Sequence, residues 1–237
     1  MAPPAAHRPA RPSRSSGGGE PALPAPRPPV YETPVLRAGD RYDLEPDADC
    51  DGVEFDGTDL AGGSGRGATL LGCVLRGCRL DETDLGRARL IDSLLTGVRG
   101  VGTDLAEATL RDTEVLDARL GGVQLSAARL DRVRVRGGRI DYLNLRQARL
   151  TDVVFEDCVL VEPDFSGSRL ERVAFPGSEL RGADLAGTTL RDVDLRGAAR
   201  LEVARGVAEL AGAVVSPAQL LELAPALAAA TGLRVLP

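Results

Sequence analysis

The chain has 237 residues and a net charge of −6, every basic residue is an arginine, and aromatic residues make up 3%. This length suits one sizeable domain, and the acidic balance disfavours nucleic acid and favours a cationic partner. The only histidine is His7, within a proline-rich segment, so Ser–His or Cys–His catalysis and His–Cys metal binding are not expected on a folded body. We therefore predict no enzyme, and no catalytic, metal-binding or cofactor-binding residue.

Residues 1–45 are rich in proline, alanine and arginine, and no apolar run among them is long enough to pack. This composition is typical of a disordered tail, and the segment lacks the apolar core of a secretory signal. We predict a disordered tail over residues 1–45.

From Phe55 to Leu195 a large apolar residue recurs at every fifth position, with Gly65 and Gly100 as exceptions. A line of small or slender residues lies two positions before them, and only Leu143 in that line is large. A period of five fits neither a helix nor a strand, so the chain must turn once in every five residues. Both lines then point inward, and stacked turns bury a continuous column, as in a solenoid.

The repeat also resembles a known family. Thr83-Asp84-Leu85, Thr103-Asp104-Leu105 and Ala183-Asp184-Leu185 are similar to the Ala-(Asp/Asn)-Leu-X-X motif of the pentapeptide-repeat proteins. The resemblance implies an all-β solenoid over residues 46–200, a right-handed quadrilateral β-helix with four pentapeptides per coil and about seven coils. The sequence also supports four pentapeptides per coil. When the inward positions of the line of large residues are sorted at a period of 20 residues, five of the nine that are not leucine fall in one column: Phe55, Val115, Val135, Phe155 and Phe175.

Two glycine features interrupt the repeat. The run from Gly62 to Gly67 superficially suggests a phosphate loop, but it lacks the flanking strand and helix, and we interpret it as a flexible or narrowed coil. Gly100 predicts either a cavity between Leu80 and Leu120 or a neighbouring side chain folded into that space.

The four cysteines do not suggest a disulfide framework. Cys73, Cys78 and Cys158 lie at the small inward position, and Cys50 has the same phase. Cys78 and Cys158 share a column but lie four coils apart, roughly 19 Å, which is too far to bond. Buried reduced thiols predict a cytoplasmic location.

The outward positions differ between the four sides. A polar ladder precedes the third column of inward residues: Ser64, Asp84, Asp104, Gln124, Asn144, Asp164 and Asp184. Aspartates and arginines alternate two positions after the fourth column: Asp92, Asp112, Arg132, Asp152, Arg172 and Asp192. Val74, Ile91, Leu94 and Leu116 should point outward, either as a contact patch or as scattered surface residues.

Two interpretations of the aspartates remain open. Aspartate belongs to the repeat motif and can hydrogen-bond the backbone at a corner. Alternatively, carboxylates repeated every ~4.8 Å imitate the phosphates of DNA. The second interpretation makes six residues candidates for partner binding: Asp84, Asp104, Asp164, Asp184, Asp92 and Asp112.

Residues 201–237 are predicted to form an irregular final coil and a capping helix over residues 216–231. Ser216, Pro217 and Gln219 suit the helix N-terminus, and Gly232 suits its end. The helix is apolar on more than one stripe, so one side can cover the solenoid while another pairs with a second subunit. The predicted dimer interface is Leu220, Leu221, Leu223, Leu227 and Ala228.

The resemblance extends to function. Pentapeptide-repeat proteins of the Qnr and MfpA types bind DNA gyrase and topoisomerase IV and protect them against fluoroquinolones, and members with a C-terminal helix form head-to-head dimers. It implies a non-catalytic, DNA-mimicking homodimer that binds a type II topoisomerase and confers antibiotic resistance. The alternative is an adaptor for an unrelated protein, with a purely structural acidic ladder, because a repeat determines fold and not partner. Neither hypothesis requires nucleic acid, a membrane or a small-molecule substrate.

Overall fold

Left-handed backbone conformations turn the chain at many of its corners. The computed structural model describes residues 23–31 and 34–234. Within them, positive φ angles recur two positions after an inward residue, for example 51° at Glu82, 73° at Gly102 and 49° at Asp112. Glycine adopts this conformation without steric cost, and aspartate tolerates it better than most residues. The five-residue period thus becomes a chain that bends at regular intervals.

The strands between these corners form two parallel sheets. The 13-stranded sheet contains β1 Arg37–Ala38, β2 Asp49–Asp51, β3 Val53–Asp56, β4 Thr69–Leu71, β5 Val74–Arg76, β6 Arg89–Ile91, β7 Leu94–Thr96, β9 Thr109–Leu116, β11 Arg129–Arg136, β13 Arg149–Glu156, β15 Arg169–Ala174, β17 Thr189–Asp194 and β19 Ala213–Val214. The 6-stranded sheet contains β8 Arg99–Val101, β10 Arg119–Gly121, β12 Arg139–Asp141, β14 Val159–Val161, β16 Glu179–Asp184 and β18 Arg200–Arg205.

The strand register gives 20 residues per coil. Leu110 pairs with Leu130, and Leu130 pairs with Leu150. Four pentapeptides therefore complete each coil of a right-handed quadrilateral β-helix, which confirms the predicted fold. The structure has about nine coils, because strands before residue 46 and after residue 200 extend the predicted seven. We name the four sides after successive inward residues: Leu70, Leu75, Leu80 and Leu85.

The two inward lines form one continuous core. Phe155 and Phe175 stack with their ring centroids 5.2 Å apart. In the inward line of small residues, hydroxyl and thiol groups donate hydrogen bonds to the backbone carbonyl 23 residues earlier. Thr83 Oγ1, for example, donates to Leu60 O at 2.9 Å. Small polar residues therefore fit the interior because a backbone carbonyl of the preceding coil accepts their hydrogen bond.

The solenoid begins before the predicted boundary. β1 pairs with β3, and the Leu44 side chain is buried in the core. A Cβ atom on Gly65 would lie 2.5 Å from Leu44 Cδ1, so Leu44 fills the space left by the missing leucine of the repeat. Residues 34–45 thus differ from the predicted disordered tail; residues 1–22 and 32–33 of that tail lie outside the described residues.

A cavity lies near Gly100, the second missing leucine. It has a volume of about 60 Å3, and its lining includes Leu80 and Leu120. The backbone at Gly100 approaches the coil below so closely that a Cβ atom would lie 2.6 Å from the carbonyl carbon of Leu80. Of the two alternatives predicted for this position, the structure shows the cavity.

The C-terminal end closes the stack. β18 pairs with β16 through register shifts, and a 3₁₀ helix over Val207–Leu210 precedes β19. Helix α1 spans Pro217–Ala230 and begins with the capping box predicted for Ser216 and Gln219. The buried Gln219 amide also donates to Leu195 O at 2.8 Å, which ties the helix to the last coil.

Candidate protein-binding surfaces

The acidic ladder is a straight line along the Leu85 side. Single-residue parallel bridges join each ladder residue to the one above it, from Ser64–Asp84 to Asp164–Asp184. Asp84 and Asp104 are thus neighbours, as are Asp164 and Asp184, with Gln124 and Asn144 between the two pairs. Four of the six candidate partner-binding residues therefore lie on one side of the solenoid.

One oxygen of each ladder carboxylate bonds its own turn. In every case Oδ1 accepts the backbone N–H two residues later: Gly86 to Asp84 at 2.9 Å, Ala106 to Asp104 at 2.8 Å, Ser166 to Asp164 at 2.9 Å and Ala186 to Asp184 at 3.0 Å. These contacts are the corner hydrogen bonds of the structural interpretation. Asn144 makes the same contact, so the turn requires the oxygen and not the negative charge.

Arginines approach the other oxygen of the ladder carboxylates. Arg66 Nε lies 2.8 Å from Asp84 Oδ2 and Arg66 Nη2 lies 3.5 Å from Asp104 Oδ2. Arg205 pairs with Asp184. Burial acts to raise the pKa of Asp84, but the Gly86 N–H and the Arg66 guanidinium outweigh it and lower that pKa. Sequence reasoning missed these two arginines, which reduce the negative potential of the ladder.

The other two candidates, Asp92 and Asp112, lie at a different place, the corner between the Leu70 and Leu75 sides. We call this the first corner, formed by Asp92, Asp112, Arg132, Asp152, Arg172 and Asp192. Asp112 accepts both Nε and Nη2 of Arg132 at 2.6 Å, and Asp152 accepts Nε of Arg172 at 2.7 Å. The side chain of Asp112 is 9% exposed and that of Asp152 is fully buried. Two aspartates of the first corner, Asp112 and Asp152, are therefore each paired with the arginine of the next coil.

A segment from the N-terminal region lies over the first corner. Arg27 donates its Nε to Asp152 Oδ2 at 2.7 Å, and the backbone N–H of Val30 donates to Asp112 Oδ1 at 3.1 Å. The Tyr31 hydroxyl donates to Glu114 Oε2 at 3.1 Å. This contact could not be foreseen from the sequence, because the composition of residues 1–45 predicts no packing.

The contacts at the first corner shift several pKa values. Burial alone would raise the pKa of Asp152, but the guanidinium groups of Arg172 and Arg27 outweigh it and hold that pKa well below its usual range. The Arg132 guanidinium lowers the pKa of Asp112. Burial and the nearby Glu114 carboxylate raise the pKa of Tyr31 to about 12. All three groups therefore keep their ordinary charge at neutral pH.

The buried thiols also keep their ordinary, uncharged form at neutral pH. Burial raises the pKa of Cys73 and of Cys158 to about 11, so both are neutral at physiological pH. All four cysteines are free and buried. A general acid or base needs a pKa close to the working pH, and the pKa shifts of these aspartates and thiols lead away from it.

Helix α1 presents an apolar groove to solvent. The side chains of Leu220 and Leu221 are exposed, whereas Leu223 is buried against the solenoid and Leu227 and Ala228 are half-buried. The predicted interface set is thus divided between two faces of the helix. The groove is lined by Leu220, Leu221, Ala224, Pro225, Leu227, Ala228, Thr231 and Leu233.

The described part of the chain contains one α-helix and one 3₁₀ helix. None of its helices has the length and hydropathy needed to cross a lipid bilayer. Over the same residues, there is no cluster of three or more His, Cys, Asp or Glu residues suited to a metal ion.

Comparisons with known proteins give one family match. The model described as Pentapeptide repeats matches eight copies, in residues 48–87, 66–97, 143–175 and 164–198. A comparison with curated protein sequences finds no match.

Solved structures similar to the chain include QnrB1 and HetL. A trypsin-treated variant of QnrB1, a plasmid-mediated fluoroquinolone resistance protein, is 19% identical, with 85% of this chain and 98% of that chain covered and a TM-score of 0.40. Full-length QnrB1 is 17% identical, with coverages of 80% and 94% and a TM-score of 0.30. HetL, involved in heterocyst differentiation regulation in the cyanobacterium Nostoc sp. strain PCC 7120, is 21% identical, with coverages of 70% and 90% and a TM-score of 0.24. The fold assigned above rests on the strand register of the chain itself.

Proposed function

The chain is a pentapeptide-repeat protein, and on that premise we propose that it is a non-catalytic module that binds a protein partner with one side of its solenoid. The observation that carries the proposal is the alignment of the ladder residues, four of them aspartates, in one line along the Leu85 side. A partner that meets one side therefore meets a pattern that the other sides do not offer.

The partner that we propose first is a type II topoisomerase such as DNA gyrase, which would bind the ladder. In this proposal the bound protein either modulates the topoisomerase or protects it from inhibitors. Between Asp84 and Asp184 the ladder rises through five coils, roughly 24 Å at the usual spacing of strands. Its carboxylates repeat on the scale of the phosphates along DNA. The proposal includes a cytoplasmic location, where such a partner is found.

A second function, an adaptor for an unrelated protein, is favoured by a specific observation. Each ladder carboxylate bonds its own turn, and Arg66 and Arg205 pair with the outer oxygens of Asp84 and Asp184. A ladder neutralised in this way serves the fold, and recognition then belongs to another side.

Gyrase assays distinguish the two functions. Supercoiling by purified gyrase is measured with increasing amounts of the protein, with and without a fluoroquinolone. The test variant changes Asp84, Asp104, Asp164 and Asp184 to asparagine, which keeps the turn oxygen but removes the charge. The control changes four exposed residues off the ladder by the same total charge: Asp49→Asn, Asp51→Asn, Asp56→Asn and Glu222→Gln.

If the ladder binds gyrase, the wild type and the control alter supercoiling or protect it, added salt weakens the effect, and the ladder variant loses it. An adaptor leaves supercoiling and drug sensitivity unchanged in all three proteins. A gyrase effect that survives in the ladder variant would move the binding site to another side of the solenoid.

The proposed assembly is a homodimer through α1. Leu221 is 76% exposed and Leu220 is 51% exposed, and they lie in one apolar groove with Leu233. Burial of such a groove against its symmetry copy removes apolar surface from water on both subunits. Leu223 faces the solenoid and has no part in the proposed interface.

A further inference from the structure

Residues 23–31 run along the first corner with a period of three. Leu23, Pro26 and Pro29 are half-buried, whereas the pairs of residues between them are exposed. A repeat of three residues per turn is the period of the polyproline II helix, and the segment is rich in proline. One edge of an extended polyproline II segment therefore faces the solenoid.

The rise of this segment matches the rise of the solenoid. Arg27 contacts Asp152 and Val30 contacts Asp112, so three residues of the segment cover two coils. Three residues of polyproline II rise about 9.3 Å, and two coils rise about 9.6 Å. The two periods agree closely enough for successive turns of the segment to meet equivalent corners. Further along, the Pro34 side chain lies beside Gly72, on the coils below.

The first corner offers the groups that a polyproline II segment lacks. Such a segment has no internal hydrogen bonds, so its N–H groups need acceptors. Asp152 Oδ1 accepts the N–H of Arg27 and Asp112 Oδ1 accepts the N–H of Val30, both at 3.1 Å. Pro28 and Pro29, between them, have no N–H to satisfy.

The guanidinium group of Arg27 makes the contact selective. Its Nε and Nη2 lie 2.7 and 2.5 Å from Asp152 Oδ2. Arg172 holds the same carboxylate from the coil above, and Arg132 holds Asp112 in the same way. The two carboxylates are thus fixed in position two coils apart before the segment binds, which lowers the entropy cost of binding.

From this register we infer that the first corner is a docking surface for proline-rich, arginine-bearing segments in the polyproline II conformation, and that residues 23–31 are its resident ligand. An external segment of the same chemistry binds only by displacing the resident one. The surface is separate from the ladder on the Leu85 side, so its occupation is independent of the proposed gyrase contact.

A labelled synthetic peptide of residues 20–34 tests the inference on the full-length protein. Its affinity is measured by fluorescence anisotropy for the wild type, for Arg27→Ala and for the control Arg129→Ala, which removes an exposed arginine from the Leu70 side. The resident segment competes at high effective concentration in the wild type. Arg27→Ala removes the charged hydrogen bonds of the resident segment to Asp152, which weakens its binding about tenfold or more. We therefore expect the Arg27→Ala protein to bind the peptide about tenfold more tightly than the wild type and the control do.

Two changes test the recognition itself. In the Arg27→Ala protein, adding Asp152→Asn removes the gain in affinity. A peptide with one alanine inserted between Pro29 and Val30 keeps every original residue but breaks the spacing of two coils, and it binds at least about tenfold more weakly. The inserted peptide needs no change in the protein, so this arm is independent of the folding of any variant.

Three results would overturn the inference: equal peptide affinity of the wild type and Arg27→Ala, indifference to Asp152→Asn, or indifference to the inserted alanine. Sedimentation of the same mixtures adds a fourth outcome. If the peptide separates a larger assembly into smaller units, the segment binds between copies of the chain, and the assignment of residues 23–31 as a ligand of their own solenoid is wrong.

Discussion

Gly100 shows that a cavity does not always accept a larger residue. The position lies beside the apolar cavity, yet a Cβ atom there would lie 2.6 Å from Leu80 C and 2.9 Å from Asp81 N. We expect Gly100→Ala to lower the free energy of unfolding by about 1–3 kcal/mol, because backbone atoms must move to admit the methyl group. Denaturant unfolding followed by circular dichroism measures the change.

Gly121, at the end of the neighbouring strand β10 of the same sheet, supplies the matched control. The nearest heavy atom to a Cβ there is Val101 Cγ2 at 3.7 Å, which is ordinary contact. Gly121→Ala should therefore leave stability unchanged or raise it by up to about 1 kcal/mol, since alanine reduces the freedom of the unfolded chain. Equal effects of the two substitutions would contradict the close approach at Gly100.

Asp112 links the charges of the first corner to acid stability. Because the Arg132 guanidinium lowers the folded pKa of Asp112 below its unfolded value, the carboxylate stabilises the fold above about pH 4, and this contribution is lost as the pH falls through the folded pKa. We expect Asp112→Asn to cost about 1.5–3 kcal/mol at pH 7, and the difference from the wild type to shrink on acidification. Chemical unfolding at pH 7, 5 and 3 gives the comparison.

Asp192 occupies the same column but faces a weaker partner, Arg191 at 3.7 Å. Asp192→Asn should cost less than about 1 kcal/mol. The pairing of Arg132 with Asp112 is contradicted if the cost of Asp112→Asn is as small as that of Asp192→Asn, or if it persists undiminished at pH 3.

The five-residue period predicted which residues point inward, but not everything that is buried. Val74 and Ile91 were expected on the surface, and both are buried, while Leu94 and Leu116 are half-buried. The contacts of Val30 with Asp112 and of Pro34 with Gly72 carry the N-terminal segment across these coils. Periodicity predicts the contacts within a repeat, whereas the contacts of Val30 and Pro34 come from a segment outside the repeat.

At the scale of elements, the end of the solenoid depends on one amide. Gln219 accepts the Ser216 N–H through Oε1 and donates through Nε2 to Leu195 O. Gln219→Glu keeps the acceptor and removes the donor, leaving a carboxylate against a carbonyl oxygen. We expect a loss of about 1–3 kcal/mol in the stability of the docked helix, measured by hydrogen exchange of the α1 amides.

The matched control for this helix is Glu222→Gln. Glu222 is exposed on the same helix, and its change should stay within about 0.5 kcal/mol. If Gln219→Glu leaves the exchange rates of α1 as they are in the Glu222→Gln protein, the bond to Leu195 O does not hold the helix on the last coil.

The elements differ in how far the sequence predicts them. The capping box of α1 follows from residues three positions apart, so Ser216 and Gln219 suffice to predict it. Strand β1 is too short to carry a period, and it exists because β3 presents a free edge at the first coil. Leu44 likewise fits only because Gly65 lies opposite, a relation that spans 21 residues and that no local pattern records.

For the whole molecule, repeat and composition predict the architecture better than the function. The four columns of inward residues follow from the sequence, and so does the alignment of Asp84 with Asp104. The pairing of Arg66 with both aspartates depends on where a long side chain turns between coils, which the sequence does not record. The charge of a side can therefore be assigned only once its ion pairs are known.

The proposed homodimer depends on the exposed face of α1. Leu221 is 76% exposed within the apolar groove, so we expect Leu221→Asp to convert a dimer to a monomer at micromolar concentration, because a buried unpaired carboxylate opposes association. Sedimentation equilibrium measures the mass. Ala226→Asp adds the same charge to an exposed position of α1 outside the groove and should leave the dimer intact. A wild-type monomer at these concentrations, or dissociation of both variants alike, would contradict an interface at Leu221.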